Sequence, residues 1–285
     1  MRPWGIALFA SALLLSACGE ANDQRTAPAS PSDPGVIHVH GLGRNPADGA
    51  LFIATHTGLF RVGPGEQSAE RVAGLYQDTM GFTVVGRDHF LGSGHPGSID
   101  SDPPFLGLIE SRNAGASWRP LSLRGDVDFH VLEAQGETVY GFGSDWDTRE
   151  ARFLRSDDGG RTWTRLTPPE ELLGLAIDPQ DPRTSVALGE QRAWVSTDGG
   201  SSWRPLPVPG GMVTWSHELG LVAVDLEGVI RNAGEARGDW TEVGQLPGTP
   251  AALEAVGEEL LAATHESRVL ASRDGGKTWR DLLRE

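Results

Sequence analysis

An eight-residue motif recurs along the chain and limits the folds that the chain can adopt. Residues 156–163 (SDDGGRTW) recur as residues 196–203 (STDGGSSW) and 272–279 (SRDGGKTW). Residues 111–118 (SRNAGASW) form a weaker copy, and residues 231–240 (RNAGEARGDW) contain a degenerate fifth copy. Self-similarity of this kind predicts an array of structural repeats in which each copy occupies an equivalent place.

The segments between the motifs predict β-strands. Short apolar runs alternate with turns rich in glycine and proline, and no long segment has the 3.6-residue apolar period of a helix. Six runs that end on a polar residue predict the second strand of each repeat: residues 51–56, 90–95, 139–145, 186–190, 221–225 and 260–265. A predicted first strand precedes each of them, near His38, Phe82, Phe129, Leu175, Val213 and Leu253.

The period of the repeats predicts the architecture. Spacings of roughly 37 to 47 residues suit one four-stranded blade each. Residues 36–285 are therefore predicted to form an all-β, six-bladed β-propeller of four-stranded antiparallel blades. The first blade lacks the motif, which leaves open a count that differs by one. A predicted fourth strand ends the chain at residues 279–283, so ring closure is predicted to need no strand exchanged between the termini.

The residue types of the motif suit a tight turn between two strands. The carboxylates of Asp158, Asp198 and Asp274 are placed to accept backbone N–H bonds across the turn, and the glycines supply positive φ. The motif tryptophans are expected to pack against the neighbouring sheet; they are Trp118, Trp163, Trp203 and Trp279. We predict a structural role for these residues and not a catalytic or calcium-binding one.

The N-terminal segment predicts export and lipid attachment. A short basic start precedes an apolar stretch, residues 4–15, that is too short to span a bilayer. Residues 15–18 (LSAC) end on Cys18, the single cysteine of the chain, and resemble the lipobox of bacterial lipoproteins. We predict a signal peptide over residues 1–17 and, over residues 18–35, a lipidated Cys18 followed by a disordered linker. The protein would then be held by its lipid at an extracytoplasmic face of the cell envelope.

Charge narrows the range of partners. A formal net charge of -15, with no basic stretch, argues against a nucleic-acid partner. Once Cys18 carries lipid, no thiol remains for a disulfide or a cysteine-ligated metal. The partners that remain are the membrane, through the lipid, and a small ligand, a glycan or an envelope protein bound by a monomer.

Histidines are concentrated where propellers bind ligands, at first strands and at the loops after second strands. His38 and His40 lie two apart on a predicted first strand, so their side chains share a face. The predicted site comprises these two residues and four others from separate blades: His38, His40, His56, His95, His130 and His265. For any single one of these imidazoles, hydrogen bonds to the backbone in a wet channel are the favoured explanation.

The ligand chemistry of this cluster favours a transition metal. Imidazole suits Cu or Zn, and neighbouring side chains could act as further ligands or as hydrogen-bond partners of the ligands. Those neighbours are Met80, Asp78, Asp126, Asp128 and Asp145. Two other histidines, His89 and His217, fall on predicted turns and are expected to be exposed and inert.

A glycoside hydrolase is the alternative, in which two carboxylates act as acid and base or nucleophile. Carboxylates expected at the same mouth are Asp145, Asp147, Glu190, Asp225 and Glu227. A sialidase is disfavoured, because Arg61, Arg155 and Arg231 lie on predicted third strands away from the channel. Tyr76 and Tyr140, the two tyrosines, lie at a blade end and within a second strand.

The repeat motif resembles the Asp-box (BNR) repeat of sialidases and sortilin-type propellers. Across residues 36–285 the chain is also similar to bacterial lipoproteins labelled "glycosylhydrolase". The segments that carry this likeness are residues 38–42, 54–60, 77–82, 92–96, 107–111 and 128–130. The resemblance implies a propeller and raises the hydrolase alternative, although Asp boxes mark a fold and not a chemistry. The sequence favours a membrane-anchored binding or scaffold propeller with a histidine-lined mouth.

Overall fold

The computed structural model describes residues 33–97, 103–145, 147–236 and 238–284. The predicted signal peptide, Cys18 and most of the predicted linker lie outside these residues. Pro34–Glu285 forms a compact unit that contains every strand of the described chain. Among the described residues, no helix is long and apolar enough to cross a membrane.

Six four-stranded antiparallel sheets confirm the predicted six-bladed β-propeller. Blade one contains β1 (Val39–Arg44), β2 (Leu51–Thr55), β3 (Gly58–Val62) and β4 (Glu70–Arg71). Blade two contains β5 (Asp78–Gly86), β6 (His89–His95), β7 (Leu108–Ser111) and β8 (Arg119–Ser122). Blade three contains β9 (Val127–Gln135), β10 (Thr138–Asp145), β11 (Ala151–Ser156) and β12 (Thr164–Leu166).

The second half of the chain repeats the pattern. Blade four contains β13 (Leu172–Ile177), β14 (Ser185–Gly189), β15 (Arg192–Ser196) and β16 (Arg204–Pro209). Blade five contains β17 (Gly211–Ser216), β18 (Gly220–Asp225), β19 (Val229–Ala233) and β20 (Thr241–Gln245). Blade six contains β21 (Pro250–Val256), β22 (Glu259–Thr264), β23 (Val269–Ser272) and β24 (Arg280–Asp281).

Each blade is built from four consecutive strands, so the ring closes without a strand exchanged between the termini. Blade six packs directly on blade one, where Leu42 and Phe60 share an apolar cluster with Leu261 and Leu282. The six first strands line a central channel, which encloses a cavity of about 160 Å³. The loops after the second strands stand at the channel end where the first strands begin, because each second strand is antiparallel to its first.

The apolar core is divided among the seams between blades. Five seam clusters each include a tryptophan from the motif of the following blade: Trp118, Trp163, Trp203, Trp240 and Trp279. Trp163, for example, packs on Phe129 at 5.4 Å between ring centroids and donates from Nε1 to Ser122 Oγ of the preceding blade. The closing seam, between blades six and one, contains no tryptophan among its described residues.

The motif turns are held by a buried serine as well as by the aspartate. Asp198 Oδ1 accepts the backbone N–H of Ser202 at 2.9 Å, and Asp198 Oδ2 accepts the Ser202 hydroxyl at 2.6 Å. The hydrogen bonds from the Ser202 hydroxyl and backbone lower the pKa of Asp198 to about 2. Beneath it, Ser196 Oγ accepts the N–H of Gly200 at 2.8 Å and donates to Asp198. The same bonds recur at residues 156–163 and 272–279.

Ser196→Ala is expected to destabilise the protein by about 1–3 kcal/mol, because the N–H of Gly200 is then left without an acceptor inside the blade. The measurement is the free energy of unfolding from denaturant titration of both proteins. Ser201→Ala is the matched control, since Ser201 is exposed on the same turn and donates only to the Asp198 carbonyl. Equal losses in the two variants would contradict the role given to the buried serine.

Candidate metal centre

A β-bulge at one level of the propeller places a side chain of each affected blade on the channel wall. The pairing of first and second strands shifts by one residue in five blades, between residues 39 and 41, 79 and 81, 129 and 131, 172 and 174, and 250 and 252. A bulge leaves the extra residue outside the ladder and re-aims its side chain. The residues so placed all line the channel: His40, Met80, His130, Leu173 and Ala251. In blade five, where the pairing is regular, Met212 lines it.

Asp78 is the point at which three blade-one and blade-two histidines meet. His56 Nδ1 lies 2.9 Å and His95 Nδ1 3.3 Å from Asp78 Oδ2. His40 Nε2 lies 3.8 Å from Asp78 Oδ1. Asp78 is the first residue of β5 and is buried, whereas His56, in the loop after β2, is exposed. The carboxylate therefore forms the floor of a site that is open on one side.

A second carboxylate continues the array into blade three. His95 Nε2 lies 3.5 Å from Asp128 Oδ2, which is also 3.0 Å from His130 Nε2. Four imidazoles and two carboxylates thus alternate across three adjacent blades. We call this set the channel-mouth cluster; it comprises His40, His56, Asp78, His95, Asp128 and His130.

The environment of each imidazole sets its protonation. Burial lowers the pKa of His40, and the charge of Asp78 only partly opposes this effect. In contrast, donating a hydrogen bond to Asp78 raises the pKa of His95, and donating one to Asp128 raises the pKa of His130. A neutral imidazole is required for metal coordination, and His40 is therefore the histidine best prepared to bind a cation near neutral pH.

The cluster contains buried side-chain atoms that a cation could satisfy. His40 Nε2, Asp78 Oδ1 and Asp128 Oδ1 are buried and have no hydrogen-bond partner among the described residues. Ligand atoms of His40, His56 and Asp78 all lie within 4.8 Å of one another. Two ligands of a tetrahedral zinc ion with bonds of about 2.0 Å stand about 3.3 Å apart, so small side-chain shifts would complete such a site. The residues present fit a transition-metal ion.

Two predicted site residues stand apart from this geometry. His38 is not on a strand: β1 begins at Val39, and His38 precedes it with a positive φ of 49°. Strand alternation therefore does not apply to His38, but its ring lies 6.1 Å from that of His56, and the His40 ring lies 6.3 Å from the same imidazole. His265 follows β22 as predicted, but it is exposed, and no described contact joins its side chain to the cluster.

His89 is paired and not inert. It begins β6, is half-buried, and its Nε2 lies 2.9 Å from Glu110 Oε1. Glu110 also forms ion pairs with Arg112 and Arg119 at the rim of blade two. This network stabilises the blade at a distance from the channel. His217 is exposed, as predicted.

Two of the carboxylates expected at the mouth form ion pairs within their own blades. Asp145 pairs with Arg152 and accepts the backbone N–H of Thr148 at 2.8 Å. Asp225 pairs with Arg231 at 2.6 Å in the corresponding loop of blade five. These ion pairs hold the loops after the second strands and engage two of the five carboxylates considered for the hydrolase alternative. The other three, Asp147, Glu190 and Glu227, are exposed.

From the sequence, Asp78 was predicted only as one of several side chains near the histidines, although three histidines of the cluster meet at its carboxylate. The signal lay in the alignment of the first strands at the bulge. Residues 38–40 (HVH), 78–80 (DTM) and 128–130 (DFH) are equivalent, with a polar residue two positions before each bulged residue. A second feature missed from sequence lies deeper, where Glu133 and Glu254 line the channel; burial raises the pKa of Glu254 to about 8.

Comparison with known proteins supports the fold. No family model matches the chain. The chain is similar to vacuolar protein sorting/targeting protein 10 of Phaeosphaeria nodorum, with 32% identity over 72 residues that cover 24% of this chain and 5% of that protein. The match thus spans a small part of the relative.

Three solved structures share the architecture at low sequence identity. A GH74 enzyme from Niastella koreensis has a TM-score of 0.60 and 13% identity, over 87% of this chain and 45% of that chain. YCF48 from Cyanidioschyzon merolae has a TM-score of 0.51 and 13% identity, over 87% and 85% of the two chains. A gluconolactonase from Xanthomonas campestris has a TM-score of 0.61 and 14% identity, over 81% and 84%. Structural similarity at identities this low shows the β-propeller fold and does not show an activity. Membership of the lipoprotein family stays a prediction.

Proposed function

We propose that this protein is a lipid-anchored, extracytoplasmic β-propeller that binds a transition-metal ion, zinc or copper, at the channel-mouth cluster. The observation that supports it is the convergence of His40, His56 and Asp78 from separate stretches of chain, with ligand atoms within 4.8 Å of one another. Within these residues, His40 Nε2 and Asp78 Oδ1 are buried without a hydrogen-bond partner in the described chain. Leaving such groups unpaired destabilises a fold, and a bound cation would satisfy both.

The position of the site suits capture of a free ion. His56 is exposed on the loop after β2, so an ion reaching the mouth meets one exposed imidazole before the buried atoms of His40 and Asp78. The net charge of -15 attracts cations to the whole molecule. An anchor at residue 18 would keep the propeller, which acts as a monomer, close to the membrane, where it would bind metal or present it to an envelope protein.

The glycoside hydrolase alternative takes support from the fold shared with a GH74 enzyme. Its best carboxylates in this chain are Asp78 and Asp128, which flank the same imidazole of His95. Both are shared with histidines, an arrangement that suits a cation better than an acid and base pair. Hydrolysis of a glycoside panel that is abolished by Asp128→Asn would favour the alternative.

The test is titration of the full-length, untagged chain carrying Cys18→Ser, since a free thiol would itself bind metal. Isothermal titration with Zn(II) and with Cu(II) is expected to show one ion per chain. At a free ion concentration 100 times Kd, binding is expected to stabilise the fold by about 2.7 kcal/mol. That stabilisation corresponds to a rise in Tm of roughly 5–10 °C.

His217→Ala is the matched control, because His217 is exposed in blade five, away from the cluster. This variant is expected to bind the same single ion with unchanged affinity. Binding of neither ion, or binding that disappears in His217→Ala, would remove the proposed function.

A further inference from the structure

The methionines of this chain have an unusual distribution. The sequence contains three, of which one is Met1; the other two, Met80 and Met212, both line the channel. Met80 occupies the bulge of blade two, and the equivalent bulges of blades one and three carry His40 and His130. One thioether therefore stands between two imidazoles on three adjacent strands, at one level of the channel.

The surroundings of Met80 differ from those of a packing residue. Its neighbours in the strand, Thr79 and Gly81, are buried in the ladder, whereas Met80 is half-buried and faces the cavity. Met212 belongs to blade five, which is opposite blade two in the ring of six blades, and it packs against the apolar cluster between blades five and six. Of the two thioethers, Met80 is the one placed next to metal-binding side chains.

Ligand softness distinguishes the ions that such a set would hold. Thioether sulfur is a soft ligand that selects Cu(I), while carboxylate oxygen suits harder divalent ions. Imidazole accepts either. The channel-mouth cluster, with Asp78 at its floor, therefore suits a divalent ion. The three bulge residues His40, Met80 and His130 suit a monovalent copper ion. His40 belongs to this set and to the channel-mouth cluster.

We propose that the metal of this protein is copper, and that His40, Met80 and His130 bind it as Cu(I) inside the channel. This proposal rests on the proposed metal-binding function and selects copper over zinc. The two sets of ligands overlap at His40, so the protein holds one copper ion at a time. Cu(I) engages the thioether, and a divalent ion engages Asp78 and His56.

Competition with a chromophoric Cu(I) chelator under anaerobic, reducing conditions measures the Cu(I) affinity of the full-length, untagged Cys18→Ser chain. Met80→Leu is expected to lower the Cu(I) affinity at least tenfold and to leave the Zn(II) affinity within twofold. Leucine has nearly the same volume, so the fold is expected to persist, which the Tm of the apo-protein verifies. Met212→Leu, the same substitution across the channel, is the matched control and is expected to change neither affinity by more than twofold.

The outcomes separate this proposal from the one on which it rests. If Zn(II) binds but Cu(I) does not, or if Met80→Leu binds Cu(I) as tightly as the parent chain, the copper assignment is wrong and the metal site stands. Equal losses of Cu(I) affinity in Met80→Leu and Met212→Leu would also overturn the assignment to Met80. If neither ion binds, the proposed function fails as well.

Discussion

Asp78→Asn is expected to lower the affinity for Zn(II) at least 100-fold, which is the largest change in metal affinity that we predict. Asp78 is the residue that His40, His56 and His95 all approach within 3.8 Å. Asparagine keeps the shape of the side chain but removes the negative charge that offsets the ion. Isothermal titration of the full-length chain measures the loss, with Tm of the apo-protein as the test of folding.

Asp128→Asn provides the matched comparison. Asp128 contacts His95 and His130. The ring of His95 separates it from Asp78, which His40 and His56 approach. A carboxylate that only orients ligand histidines contributes about 10- to 100-fold in metal affinity, so this variant is expected to lose less than Asp78→Asn. A larger loss in Asp128→Asn would move the centre of the site from blades one and two to blades two and three.

Glu259→Gln is expected to destabilise the fold by about 2 kcal/mol, because the carboxylate is largely buried and its hydrogen bond to the half-buried Arg44 loses its charge. Glu259 begins β22 of blade six and binds Arg44 of blade one across the closing seam. Arg280 and Arg273 lie 3.1 and 3.5 Å from the same carboxylate, whose side chain is 11% exposed. The three arginines lower the pKa of Glu259 despite its burial, so the carboxylate is charged near neutral pH.

The closing seam depends on this network more than the other seams do. It has no motif tryptophan among its described residues, and an open cleft of about 600 Å³ lies beside Arg44, Arg273 and Arg280. Thermal unfolding measures the effect, expected as a fall in Tm of roughly 4–8 °C. Glu242→Gln is the control, since Glu242 is exposed and lies 3.8 Å from Arg231; surface pairs of this kind contribute at most about 1 kcal/mol. Equal changes in both variants would contradict the special role of the seam.

The architecture could be predicted from sequence because its signals are local and repeated. Motif copies at residues 156–163, 196–203 and 272–279 fix the turn between third and fourth strands, and the tryptophan of each copy lies in a seam. Blade one was predicted without its motif, because residues 51–56 parallel the second strands of the other blades and a first strand precedes them near His38.

The site was predicted in part, because regular strand alternation does not hold at the bulge in β1. His56, His95 and His130 were placed correctly because their positions follow from which strand they end or occupy. The orientation of His40 was deduced from regular alternation, which the bulge beside Val39 breaks. A one-residue shift in a ladder turns a side chain to the other face, and a single sequence carries no direct signal for it.

By itself the sequence determined the class of structure, the number of blades and the turns that join their strands, since each follows from contacts between residues close along the chain. Only the tertiary structure decided that Asp78, and not a histidine, is the centre of the cluster, and that Met80 faces the cavity between His40 and His130. Those placements depend on bulges and on which blades are adjacent around the ring. Both arise when strands far apart in sequence pack against one another.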